Sequence, residues 1–115
     1  MKQSGSTALI VQPCPLLYLH RDRVIASTMK NGMGTIFAIP VAAREGSLIA
    51  YGPDYVDMYR RAPIYVDRIL RGTKPAELPV QQPTKVELLV NVSSANTLGI
   101  DIPLSVLIRA DEVIE

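Results

Sequence analysis

The sequence predicts an α/β fold built on a parallel, Rossmann-like sheet, and three observations predict it. Short apolar runs recur at residues 8–11 (ALIV), 35–41 (TIFAIPV), 48–51 (LIAY) and 85–92 (KVELLVNV), each of strand length. Amphipathic stretches of helical spacing lie at residues 16–31 and 55–71. Prolines and glycines punctuate the joins, at Pro13, Pro15, Gly32, Gly52-Pro53 and Gly72. Strands alternating with helices are the pattern of a parallel α/β sheet. Continuous apolar runs, rather than alternating ones, predict strands covered on both faces.

Residues 2–7 are polar and predicted to be loose. The first strand, residues 8–11, ends at Gln12-Pro13-Cys14-Pro15, where two prolines stop sheet pairing. Residues 16–31 are expected to form one helix, with Leu17, His20 or Arg21, Val24 and Thr28 recurring at helical spacing and Asn31-Gly32 as its stop. The second strand, residues 35–41, carries Pro40 near its end, and residues 42–47 read as a connection. A third strand, residues 48–51, leads through Gly52-Pro53-Asp54 into a helix with Asp54 as its N-cap.

The helix at residues 55–71 is the strongest in the chain. Val56, Tyr59, Pro63, Val66, Ile69 and Leu70 form one side; Asp57, Arg60, Arg61, Asp67, Arg68 and Arg71 lie largely on the other. Acidic residues come early and Arg71 late, which suits the helix dipole. Pro63 removes the bond to the Tyr59 carbonyl and is expected to kink it. Residues 73–83 hold three prolines and predict an extended crossing. The fourth strand, residues 85–92, is followed by a short helix capped by Ser93 or Ser94 and closed by Gly99. Residues 103–110 predict a last helical turn, and the final residues a tail.

Composition narrows the function classes. At 115 residues the chain fits one domain. Twelve basic and eleven acidic residues leave a net charge of +1, so no positive field or basic run points to nucleic acid. Five Tyr, one Phe and no Trp make a base-stacking platform improbable. One cysteine, Cys14, and one histidine, His20, are too few for a zinc site, and no cofactor motif is present. No apolar run is long enough to span a membrane, and no signal peptide is visible; taken as a complete product, the chain reads as cytoplasmic.

The chemistry-bearing residues have plain structural readings. Cys14 lies at a strand end, where open α/β sheets bind ligands. As a nucleophile it would need His20 as its base; a small, pocket-lining thiol is the default. Asp54 and Asp57 read as cap and first-turn charges. Tyr51, Tyr55 and Tyr59 form a packing stripe or an aromatic pocket. Asn31-Gly32-Met33-Gly34 precedes a strand and is no phosphate loop.

One combination of residues is more specific. Tyr51-Gly52-Pro53-Asp54, Asp57-Met58-Tyr59-Arg60-Arg61-Ala62, Tyr65-Val66-Asp67-Arg68-Ile69-Leu70-Arg71-Gly72 and Lys74-Pro75-Ala76-Glu77-Leu78-Pro79-Val80 follow in order. Gln82-Pro83-Thr84-Lys85-Val86-Glu87-Leu88, Asn91, Leu98-Gly99, Ile102-Pro103 and Arg109-Ala110-Asp111-Glu112-Val113-Ile114-Glu115 continue the series. With Pro13, Pro15 and His20-Arg21 more loosely, the chain resembles the C-terminal part of the bacterial ABC-transporter substrate-binding proteins. These are the tryptophan/tyrosine-type lipoproteins of type I periplasmic-binding fold. The chain departs from that pattern at Cys14, at Pro40-Val41 and at Pro63.

The resemblance implies two α/β lobes joined by three crossing strands, with a ligand between them. Residues 1–50 would then be second-lobe-like, 51–83 a first-lobe helix and crossing, and 84–115 the return. It implies non-catalytic capture of a small molecule such as an aromatic amino acid, a periplasmic location and an ABC permease as partner. The ligand-binding residues expected from strand ends and the following helix start are Cys14, Tyr51, Asp54 and Tyr55. A second reading is a self-associating module, a homo-oligomer that completes its exposed sheet edges with another copy and binds no solute.

Overall fold

A computed structural model describes residues 5–115; residues 2–4 of the stretch expected to be loose lie outside them. The chain forms two compact units. One holds the residues up to Gly52 together with Glu87–Glu115, and the other is Pro53–Val86.

The first unit is an α/β layer. Its elements are β1 (Ala8–Val11), α1 (Pro15–Leu19), α2 (Arg21–Lys30), β2 (Gly34–Phe37), α3 (Val41–Arg44) and β3 (Ile49–Pro53, whose last residue begins the second unit). After the second unit come β4 (Val86–Asn91), α5 (Val92–Leu98), α6 (Leu104–Leu107) and β5 (Glu112–Ile114). The strands lie side by side in chain order. β1 pairs β2 from Ala8↔Gly34 to Val11↔Phe37, β2 pairs β3 at Ile36↔Ile49, and β4 pairs β5 at Val90↔Val113, all parallel.

The join between β3 and β4 runs the other way. Asn91 donates its N–H to Leu48, and Asp54 donates its N–H to Lys85, at 3.0 and 3.1 Å. As the first strand advances its partner retreats, which is antiparallel pairing. The α/β class and the dominance of parallel pairs are as the sequence predicts. The single antiparallel join arises because the chain leaves along β3 and returns along β4, like the two arms of a long hairpin.

Both core clusters sit on one face of the sheet, and Val90 of β4 is buried on the other. Val11, Ile25, Phe37 and Ala42 are buried together, with Leu9, Leu17, Val24 and Met29 against them. Ala43, Ala50 and Leu89 form a second cluster with Ile114. Ala42, Ala43 and Ala50 are fully buried, and their small side chains let α3 lie close to the strands. Gly52 has the same logic at the end of β3: a Cβ there would overlap the Ala38 carbonyl oxygen.

The opposite face corrects the expectation of strands buried on both sides. Ile10 and Ile36 are direct neighbours in register yet 66% and 37% exposed. The apolar runs are those of a two-sided sheet, but at β1 and β2 the second side is largely open to solvent, while Val90 of β4 is buried there.

The predicted helix at 16–31 is two helices. Pro15 occupies the first turn of α1, where its missing N–H costs nothing. His20 then leaves helical geometry (φ −110°, ψ 23°), ending α1 and starting α2. Arg21 compensates by donating from its guanidinium to the Tyr18 carbonyl at 2.9 Å. The predicted second strand also splits. β2 stops at Phe37, and Pro40, in helical conformation, starts α3. Asn91, rather than Ser93 or Ser94, caps α5. Its carboxamide oxygen accepts the Ser94 N–H at 2.7 Å, its amide donates to the Ala43 carbonyl at 2.8 Å, and the Ser94 hydroxyl donates to the Gly46 carbonyl at 2.9 Å. The tail is strand β5, held by Asp111. Its N–H donates to the Leu88 carbonyl, and its carboxylate accepts the Leu88 N–H, each at 2.8 Å.

The second unit is one helix and a strap. Helix α4 spans Tyr55–Leu70 with Pro63 inside it and Gly72 (φ 99°) just beyond its end. Asp57–Arg61 and Asp67–Arg71 are ion pairs one turn apart along it. A 3-10 turn, Pro75–Glu77, opens the strap, which is extended beyond it. The Tyr65 hydroxyl donates to the Pro79 carbonyl at 2.8 Å, and Met58, Ala62, Tyr65 and Ile69 meet Leu78 to Pro83 around an open hollow. No residue from 53 to 86 is buried.

Candidate functional site

Parallel strands β1, β2 and β3 bring their C-terminal ends to one end of the sheet. There open α/β sheets hold ligands, because loops and helix starts converge on it. Antiparallel β4, with β5 parallel to it, brings two strand starts to the same end. Backbone direction therefore gathers Cys14, Pro40 and Tyr51 in the first unit on one edge.

Cys14 is the residue before α1. Its backbone is extended (φ −148°, ψ 131°), and its carbonyl accepts the Tyr18 N–H at 2.8 Å. The thiol is free and half-buried. His20 stands at the other end of α1, roughly 9 Å along the axis at ~1.5 Å per residue. Cysteine and histidine thus bracket a helix and do not form the thiol–imidazole pair that nucleophilic catalysis requires. His20 lies with Leu9, Leu17, Val24 and Thr28 around a shallow hollow beside β1.

Tyr51 projects from β3 between buried Ala50 and buried Gly52, and is 58% exposed. Alternation along the strand turns its ring to the uncovered side. It offers a large, rigid, amphipathic surface at a strand end.

Asp54 and Tyr55 belong to the second unit. Asp54 caps α4 as predicted, accepting the Asp57 N–H at 3.0 Å. Its other oxygen accepts a hydrogen bond from the Lys85 ammonium at 2.8 Å. The lysine bond, then the helix-start N–H groups, hold this carboxyl below the usual aspartate range. The carboxylate is therefore matched twice inside its own unit, and presents a cap and an ion pair rather than an unpaired charge. Tyr55, the first residue of α4, is 37% exposed.

The structure brings Cys14 and Tyr51 to one unit and Asp54 and Tyr55 to the other. None of the four lines either hollow described above. Lys85 is the partner that sequence reasoning missed. It precedes β4 by one residue and is thirty-one positions from Asp54, so only the β3–β4 pairing reveals the contact. Arg44 and Glu112 were missed for the same reason. They join α3 to the start of β5 through a 2.6 Å ion pair, in which Arg44 holds the Glu112 carboxyl low. Among the described residues no three His, Cys, Asp or Glu side chains are grouped to hold a metal ion.

The family model described as ABC transporter substrate binding protein matches residues 3–114. The chain belongs to this family. Its fold is also similar to solved structures of much longer chains. A conserved domain protein from Vibrio cholerae O1 biovar El Tor has a TM-score of 0.91 and 26% identity, over 95% of this chain and 37% of that one. An ABC domain from Streptococcus pneumoniae, in complex with L-Trp, has a TM-score of 0.89 and 26% identity, over 98% of this chain and 38% of that one. The ligand-free, open form of a substrate binding protein with adhesive properties from Clostridium difficile has a TM-score of 0.61 at 20% identity, over 93% of this chain and 36% of that one, a likeness of fold. No curated protein matches. The chain thus spans less than two-fifths of the length of these structures. Among the described residues no helix is long and apolar enough to cross a membrane.

Proposed function

We propose that this chain serves as the solute-binding component of an ABC importer, or is a truncated remnant of one, with an aromatic amino acid as the ligand class. The observation that carries this reading is the likeness, over 98% of the chain, to a domain solved with L-Trp. Capture of this kind breaks no bond and needs no catalytic residue.

In this reading the first unit belongs to one lobe and α4 with its strap to the other. The chain passes between them at β3 and β4, two neighbouring strands whose ends would act as the hinge. Tyr51 and Tyr55 would present ring faces to an aromatic ligand, and offset or edge-to-face packing would favour it over an aliphatic one. Cys14 would line the wall that the first unit contributes. Asp54, already engaged by Lys85, would act by holding the start of α4 in place. Ligand-driven closure would make the surface that docks on a permease, in the periplasm.

Calorimetric titration and thermal shift with L-Trp, L-Tyr and L-Phe, against L-Leu, test this reading. Binding of the aromatic set, lost in Tyr51→Ala and Tyr55→Ala, supports it. A folded chain that shows no shift at saturating ligand overturns it, since any ligand selective for the native state must raise stability.

A further inference from the structure

One guanidinium in the first unit holds together segments that lie far apart in the chain. Arg21, the first residue of α2, donates from Nε and Nη2 to the two carboxylate oxygens of Glu45, at 2.6 and 2.7 Å. Its Nη1 donates to the Tyr18 carbonyl at 2.9 Å, and its Cζ lies 4.6 Å from the centroid of the Tyr18 ring. The planar fork thus grips a carboxylate at two points, a carbonyl at a third and a ring face at once. Every one of these contacts lies inside the first unit.

The elements that the fork joins differ in how firmly they are held. Glu45 closes α3, whose Ala42 and Ala43 are fully buried, so α3 is anchored. Helix α1 is five residues long, none of them buried, and Leu17 leans on the first core cluster. A helical segment of that length does not persist on its own. The break at His20 means that no continuous helix carries α1 into α2. Arg21 supplies the missing attachment at Tyr18, near the end of α1. At the start of α1 stands Cys14, whose carbonyl accepts the Tyr18 N–H at 2.8 Å. Direct contacts therefore run from Glu45 through Arg21 and Tyr18 to Cys14, from an anchored helix to the end of the sheet where ligands bind in such folds.

We propose that Arg21 is a positioning residue of the binding site: clamped to Glu45 and Tyr18, it fixes α1 and so sets where Cys14 stands at the ligand end of the sheet. Its role in binding rests on the solute-binding reading; its geometry does not. Lysine cannot replace it. A lysine keeps the charge and can meet one oxygen, but has no fork to hold a carboxylate and a carbonyl together.

Arg21→Lys and Glu45→Gln in the full chain test it. N-ethylmaleimide labels the single cysteine, Cys14. Because Arg21→Lys keeps the positive charge, a changed rate reports the placing of the thiol rather than the local field. In both variants labelling, and amide exchange of Tyr18 and His20, should speed up about threefold or more, while β2 and β4 keep their protection. The urea midpoint should change little, as for a partly exposed ion pair. L-Trp should bind about tenfold more weakly, because a site wall held loosely loses its fit. Unchanged labelling and exchange overturn the proposal. So does an Arg21→Lys chain that matches the parent in rate, exchange and affinity, since charge alone would then suffice. A loss of affinity that only follows a lowered midpoint, with exchange rising in β2 and β4 as much as in α1, is plain structural support and overturns it as well. A parent that binds no aromatic amino acid ends the solute-binding reading alone; the labelling and exchange rates still decide the clamp.

Discussion

The two units solve their burial in opposite ways. In the first, Phe37, Leu89 and Val90 are at most 1% exposed, and three alanines close the space between α3 and the strands. In the second, α4 carries Val56, Tyr59, Val66 and Leu70 along one side, yet no residue from 53 to 86 is buried. The first unit draws its stability from area removed from water. The second is held by a cap, ion pairs along the helix, and one strap fastened by Tyr65. Amphipathic patterning makes a helix; only a surface to lie against makes it part of a core.

That contrast can be broken or sharpened by measurement. Phe37→Ala should have the largest effect, about 3–5 kcal/mol lost in urea unfolding, because it empties the centre of the first cluster. Asn91→Ala should follow, at about 1–3 kcal/mol, since it leaves the Ser94 N–H without its cap and takes from the Ala43 carbonyl one of its two donors, the Gly46 N–H remaining. A loss comparable to that of a surface substitution would show that water replaces both bonds.

Asp54→Ala should act locally, speeding amide exchange in the first turn of α4 while β2 and β4 keep their protection. The pH dependence has a definite sign. The folded carboxyl titrates below its unfolded value, first because of Lys85 and then because of the helix-start N–H groups. Its contribution is full above the ordinary aspartate range and is lost as the pH falls through the depressed folded value. Native-state exchange of α4 from neutral pH downward should show this fraying in the parent and not in the variant. The smallest effect belongs to Tyr59→Ser, below about 0.5 kcal/mol, as for a side chain 77% exposed. A large loss would mean that Tyr59 already packs against something, and would erase the contrast between the units.

Much of this arrangement was legible in the residues themselves. The short apolar runs marked four of the five strands, and Asp54, immediately before Tyr55, announced the start of α4. The break at His20 was not legible, because leucine, valine and threonine keep helical spacing on both sides of it. Pro40 was read as a strand end, although the same ring can open a helix. β5 is three residues long and flanked by charge; it exists because Asp111 clamps Leu88. Of the ligand-site expectations, Cys14 and Tyr51 were placed by strand ends alone. The engagement of Asp54 by Lys85 depends on two strands meeting, and no local signal records it.

The sequence by itself determined the α/β class, the family pattern and the amphipathic character of α4, because each rests on local spacing of side chains. Only the tertiary structure decided which apolar surfaces are covered. Ile10 and Phe37 come from equally apolar runs, and strand pleating sends one to solvent and the other to the centre of the core. Likewise only the structure shows the β3–β4 reversal. Burial depends on what else the chain brings to the same place, a non-local property that no single stretch can encode.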